Sequence, residues 1–325
     1  MQPIIAVWLA LVIEKLVPVS ASIEPFTFFR FVCLQMANKV IKQGSSHQQL
    51  VISGSLALLV LLFPTLVIAY LMHNFASYQW LLDALLLWLL IQYTQDINLF
   101  NKGVEALKKN KKQLSKDLLQ QKLLRNTQAM SPLGLTKASV ESIFLRYHHQ
   151  QFTTIACFLL LGPIAALGYR LCYEAHQVWN VKCEAFTVFG RFANMLTLLF
   201  QIVPSIVLSI SFIIFSAPYA LSDFFKEKQL SAILKQLIVG HSNQSLLLCS
   251  LAHGLGINIG GPVMYGETKY QRQRFTPLSV EQENIKSSST QPTFETVKVL
   301  ISLVNRHLII SLLLVTWIIF WFFPG

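Results

Sequence analysis

Between residues 241 and 274 the chain gathers residue types that could hold an anion. Five glycines fall in the run Gly254-Leu255-Gly256-Ile257-Asn258-Ile259-Gly260-Gly261-Pro262-Val263-Met264-Tyr265-Gly266, and Lys269, Arg272 and Arg274 follow at once. Glycine lets backbone N–H groups approach a ligand closely and the cations supply charge, so an anion-binding loop is one reading. A tight turn between two packed helices is the other, and composition does not choose between them. A dinucleotide fingerprint is excluded. G-x-G-x-x-G from Gly254 needs glycine at 259, where Ile259 stands, and the run follows an apolar helical stretch rather than a strand.

Other reactive side chains point to packing. His148 and His149 are adjacent and so lie on different faces of a helix. Cys249 and His253 share a face at i and i+4, but with His241 they make three ligands and no neighbouring carboxylate, so no metal site is expected. The five cysteines form no C-x-x-C pair and imply no disulfide framework. Glu174 and Glu184, near Arg170, Lys182 and Arg191, read as local ion pairs.

The elements that must position these residues are helices in a bilayer. Of 325 residues, 54% are hydrophobic and 13% charged, with a mean hydropathy of +0.52, which excludes a large soluble catalytic domain. Leu50–Met72, Phe152–Tyr169 and Met195–Leu221 carry no charge, and Leu308–Phe323 ends with Trp317 and Trp321 as interface anchors. Ile4–Val19 carries Glu14 and Lys15 near its end, and Trp80–Phe100 carries Asp83 and Asp96 near its ends, where snorkelling lowers the cost. Without a basic n-region, the first segment reads as a retained span rather than a signal peptide. The expected fold is all-α and polytopic, with about six transmembrane helices. Its segments are 1–100 and 152–221 in the membrane, 101–151 and 222–307 as two large cytoplasmic polar segments, and 308–325 as the last membrane helix.

The net charge of +11 sits in a few connections. Residues 21–49, 101–151 and 219–307 hold 22 of the 26 lysines and arginines, and with six spans all three fall on one side, cytoplasmic by the positive-inside rule, with both termini outside. Lys102–Arg125 has eight basic residues, with Val104, Leu107, Leu114, Leu118 and Leu119 at near-helical spacing. It reads either as an amphipathic helix on anionic lipid or as a solvated charged helix. Nucleic acid is not an expected partner. Ser131-Pro132-Leu133-Gly134 ends that segment, and 276–293 reads as a polar linker.

Gly260-Gly261-Pro262 with Tyr265, preceded by Asn243 and by Ala252–Ile259, resembles the C-terminal signature of the CobD/CbiB family, whose pattern there is Ser-Pro-Asn, an apolar stretch, Gly-Ala-Leu-Gly, then Leu-Gly-Gly-Pro and Tyr. This chain keeps Asn243, Leu255, Gly256, Gly260, Gly261, Pro262 and Tyr265. It has His241-Ser242 for Ser-Pro, and His253-Gly254 for Gly-Ala. Leu159-Leu160-Leu161-Gly162-Pro163 through Tyr169-Arg170-Leu171 is similar to that family and to its relative AmpE, the β-lactamase regulatory membrane protein. Leu11–Leu16 looks more like AmpE.

The resemblance implies a bacterial inner-membrane protein that makes adenosylcobinamide phosphate, forming an amide between adenosylcobyric acid and an aminopropanol-type amine with ATP and Mg²⁺. It places substrate binding at Asn243, Gly256, Gly260, Gly261, Pro262 and Tyr265, to which the charge pattern adds Lys269 and Arg272, with an anionic corrinoid as ligand, and it names no catalytic residue. Where the family has an acidic Glu-Asn-Thr-Ser-Asp-Gly run, this chain has Leu145-Arg146-Tyr147-His148-His149-Gln150. His176-Gln177-Val178 replaces Asp-Ser-Met, and apolar residues before Ile202-Val203-Pro204 replace an Asp-Asp pair. Magnesium-assisted activation needs such acids, so the alternative is an AmpE-like regulatory protein that kept the scaffold without the reaction.

Overall fold

The computed structural model describes every residue except 1, 19–24, 43, 45, 124, 217–241, 266, 267, 277–290 and 323–325. It is all-α apart from two short β ribbons in the glycine-rich segment. Its residues group into two compact units, one of 1–95, 149–202 and 322–325, the other of 96–148 and 203–321.

In the first unit, α1 (Gln2–Leu16) packs along α4 (Gln79–Leu90), and Ala6, Ala10 and Ala84 have no exposed surface, since one-carbon side chains let two helix backbones close up. The stretch 80–100, expected as one span, is two helices. α4 stops at Leu90, and α5 (Tyr93–Lys108) begins after a two-residue break. Glu14 accounts for the break. It is buried rather than snorkelling, and its Oε1 accepts the N–H of Tyr93 at 3.2 Å and of Thr94 at 2.9 Å, satisfying the first turn of α5 from another helix.

The run 152–169, expected as one span, is also interrupted, at Pro163. α8 (Thr153–Leu161) ends at Gly162, whose φ of +91° favours glycine, and Pro163 opens α9 (Pro163–Val178) at a position that needs no N–H. α9 packs against α2 (Phe26–Val40), α3 (His47–Phe75) and α4. Arg170 and Glu174, expected as a local pair on a connection, are paired but fully buried here. Glu174 meets Arg170 at 2.9 Å and Arg30 at 2.5 Å, with Arg170 against the rings of Phe26 and Tyr173. Residues 179–190 close onto the unit through backbone. A Cβ at Gly54 would overlap the Phe189 carbonyl and one at Gly190 the Trp179 carbonyl, and Trp179 packs edge-on against Phe189.

In the second unit the basic segment is likewise two helices, α5 and α6 (Lys112–Gln120), separated at Asn110 with φ +58°. Val104, Leu107 and Leu119 are buried in the unit and Leu114 is exposed. Ser131 and Pro132 then start a helix. The Ser131 Oγ accepts the Gly134 N–H at 3.1 Å, and α7 (Pro132–Arg146) follows, burying Leu135, Ala138, Val140, Ile143 and Phe144. Phe144 packs on Phe212 of α10 (Arg191–Ser216), and Gly254 lets α11 (Asn243–Leu255) approach Phe212 and Ser216 closely. A π-helical turn covers Tyr147–Phe152. Beyond α11 lie β1 (Ile259–Gly260), β2 (Val263–Tyr265), β3 (Thr268–Tyr270) and β4 (Arg274–Phe275). β1 pairs with β4 and β2 with β3, both antiparallel, before α12 (Phe294–Phe322).

Among the described residues three helices are long and apolar enough to cross a membrane: His47–Phe75, Arg191–Ser216 and Phe294–Trp321. α1 and α4, of 15 and 12 residues, rise only about 22 and 18 Å, short of a hydrocarbon core of about 30 Å.

Candidate functional site

Glu141 of α7 is the centre of the cluster. It lies among the apolar residues of that helix with 1% of its surface exposed, and each oxygen is engaged. Oε2 accepts from Arg125 at 2.7 Å and from Arg272 at 3.0 Å, and Oε1 accepts the backbone N–H of Gly260 at 2.9 Å. Arg272 also donates from Nε to the Gly261 carbonyl at 3.3 Å, so one guanidinium joins the helix carboxylate to the glycine turn. Its Nη1 is buried without a hydrogen-bond partner.

The turn itself depends on glycine. Gly260 and Gly261 have φ of +78° and +91°, and a Cβ at Gly260 would overlap the Gln273 carbonyl across the β1–β4 pair, where Gly261 N–H donates to the same carbonyl at 3.1 Å. The segment is a folded-back ribbon rather than a turn between two packed helices, and the Gly260 N–H is given to the chain's own Glu141 carboxylate.

The charges do not balance locally. Lys137 stands one turn before Glu141 on α7. Burial lowers its pKa, and Arg272, Arg274 and Arg125 lower it further against the opposing pull of Glu141. Burial alone would push the Glu141 carboxyl up, but Arg125 and Arg272 together hold it below its ordinary value of 4.5. Arg125 and Arg272 thus bond one ionised carboxylate, with Lys137 one turn away and Arg274 adding its charge at Lys137. Such a carboxylate is a poor general base, so the arrangement suits binding and polarising a further anion rather than moving protons.

A second node in the same unit has the same form. Asp96 is buried against Arg146 and, at 2.9 Å, Lys122, and Arg146 donates to the Lys122 carbonyl at 2.7 Å. The residues that stand in place of the family's acidic run are engaged in packing. Tyr147 bonds His307 at 2.8 Å, and His148 bonds Ser205 at 3.0 Å. Among the described residues no three His, Cys, Asp or Glu side chains come together, and both Glu141 and Asp96 are held by cations, so the described residues do not fit a magnesium ion.

Of the residues expected to bind substrate, Gly260, Gly261 and Arg272 come together. Pro262 follows them on an exposed position. Asn243 begins α11 and Gly256 caps its other end with φ +64°, roughly 20 Å away along the helix, so these two do not share one pocket. Tyr265 and Lys269 belong to β2 and β3 by backbone, and their side chains lie outside the described residues. The sequence reading missed Glu141, Arg125 and Lys137. The available signal was the single carboxylate of the helix that follows the Ser-Pro start.

The family model described as CobD/Cbib protein matches residues 7–291. The cobalamin biosynthesis protein CobD of Chromobacterium violaceum is 26% identical over 153 residues, which cover 45% of this chain and 48% of that protein. The chain thus spans about half the length of the curated relative it matches. No solved structure matches the chain.

Proposed function

This chain belongs to the CobD/CbiB protein family, and from that premise we propose that it acts in cobalamin biosynthesis in a bacterial inner membrane, joining adenosylcobyric acid to an aminopropanol-type amine. The observation that carries the reading is the excess of cations around Glu141 on the Gly260-Gly261 turn. An amide-forming site must hold a carboxylate and draw charge from it before an amine can attack. Arg272, Arg274 and Lys137 supply that pull, Gly260 and Gly261 keep the backbone close, and Glu141 fixes the orientation of Arg272. A nucleotide would supply the activation of the carboxylate. No step is assigned to it or to magnesium, because the described residues offer no acidic set for the metal.

The test is complementation of a strain lacking its own CobD/CbiB enzyme. The unmutated protein should restore cobalamin-dependent growth, and Lys137→Ala with Arg274→Ala should leave the protein inserted but cut corrinoid amide formation by about a hundredfold, the loss of two charge-assisted contacts. Full activity in the double variant overturns the assigned site.

A second reading is AmpE-like regulation, favoured by one observation: Arg146, Tyr147 and His148, in place of the family's acids, are held by Asp96, His307 and Ser205. Failure of the unmutated protein to complement, despite normal insertion, decides for it.

A further inference from the structure

Independently of that reading, we propose that α5 and α12 hold one molecule of an anionic phospholipid with a hydroxyl-bearing headgroup, its phosphate at Lys298 and Arg306 and its acyl chain along α12.

A groove of about 450 Å³ runs between these helices, lined by Asn101 and Glu105 of α5 and by Lys298, Ser302, Asn305 and Arg306 of α12. Lys298, Ser302 and Arg306 recur every four positions, with Asn305 beside Arg306, and so form one face, on which Lys298 and Arg306 stand about two turns apart. Among the described residues neither cation has an ion-pair partner within 4 Å. The bridge at the groove's end joins Lys108 to Glu295 instead, at 3.2 Å. Two cations and the Glu105 carboxylate leave one positive charge, which selects a headgroup of net charge −1. Glu105, Asn101, Ser302 and Asn305 can accept or donate to hydroxyls but offer an ammonium group only one carboxylate, so glycerol fits the lining better than choline.

The same helix face continues as a hydrocarbon surface. Below Arg306 come Ile309, Leu313, Trp317 and Trp321 at intervals of four, all exposed, with the two indoles stacked at 6.3 Å between centroids. This stripe lies in the helix that is long and apolar enough to cross a membrane, while the groove lies at that helix's polar beginning. A basic, hydrogen-bonding groove leading into an exposed apolar stripe matches the division of a glycerophospholipid into head and tail.

The full-length protein, extracted in neutral detergent with added phosphatidylglycerol and phosphatidylcholine of equal chain length, tests this by native mass spectrometry. Phosphatidylglycerol should be retained about tenfold over phosphatidylcholine. Lys298→Gln with Arg306→Gln should bring the ratio to parity, and both positions are exposed, so folding should survive. Leu313→Asn should weaken retention of the lipid and leave any binding of glycerol 3-phosphate unchanged. Equal retention of the two lipids by the unmutated protein overturns the proposal. So does competition by glycerol 3-phosphate at the lipid's own concentration, which would make the groove a soluble-phosphate site. A dimer that Leu313→Asn dissociates would give the stripe to a second copy of the chain and overturns it as well.

Discussion

Glu141 and Gly260 are 119 residues apart in sequence, and the Glu141 Oε1 accepts the Gly260 N–H at 2.9 Å. A backbone donor of a left-handed turn is thereby held by the side chain of a helix interior. The position of the glycine ribbon depends on α7 as much as on its own hydrogen bonds.

Glu141→Ala should destabilise the protein by about 3 kcal/mol, because it leaves Arg125 and Arg272, both mostly buried, without their shared carboxylate. Chemical unfolding in detergent micelles measures this. Arg274→Ala, at an exposed position, should cost under about 0.5 kcal/mol in the same assay. Equal losses in the two variants would show that the Glu141 cluster is not what holds the ribbon.

Acid sensitivity should follow the same group. The Glu141 pKa is lowered in the fold, so its stabilisation is fully present above 4.5 and is lost as pH falls below that value through the folded pKa. Midpoints of unfolding taken from pH 7 down to pH 3 should decline on that limb, and Glu141→Gln should flatten it. An unchanged acid limb in Glu141→Gln would assign the decline to other carboxylates.

Two glycines with positive φ should respond differently to alanine. Gly256 has φ +64° with open space around it, so Gly256→Ala should cost about 1 kcal/mol of backbone strain alone. Gly260→Ala adds overlap with the Gln273 carbonyl and should cost at least about 3 kcal/mol. Thermal unfolding of the two variants side by side provides the comparison, and a smaller loss at Gly260 would contradict the ribbon geometry.

Sidedness is constrained by chemistry as well as by charge counting. Arg125, Glu141 and Arg272 meet in one cluster, so an even number of crossings separates residue 141 from residue 272. α10 is long and apolar enough to supply one, and the cluster then requires a counterpart. Reporter fusions at Asn126 and Gln282 should both read cytoplasmic, and a fusion after Gly325 periplasmic. Opposite readings at Asn126 and Gln282 would exclude the arrangement.

What was legible in the sequence were the features that local pattern controls. The apolar runs behind α3, α10 and α12 declare themselves by length, whereas Pro163 and Pro204 share the same missing N–H and only the first marks a break. The glycines of 254–266 and the cations after them drew attention to the ribbon that now holds Arg272. Glu141 was not legible, because a single carboxylate in a helix of mixed composition gains meaning only from Arg125, Arg272 and Gly260, which the fold delivers. The gap between α4 and α5 was hidden for the same reason: Glu14 caps it from 79 residues away. Strands of two or three residues carry no period, so Ile259–Gly260 and Val263–Tyr265 could not be told from a turn.

The contacts of Gly54 with the Phe189 carbonyl and of Gly190 with the Trp179 carbonyl have a consequence for how residues 179–190 are kept in order. Shape fixes this segment: two missing methyl groups admit two carbonyl oxygens. Close fit of this kind is blind to ionic strength, whereas attraction between surface charges fades within about 10 Å at 0.1 M salt. Salt that loosens exposed pairs such as Lys108–Glu295 should therefore leave the 179–190 segment in place, while a single added carbon at Gly54 or Gly190 would dislodge it at any salt concentration.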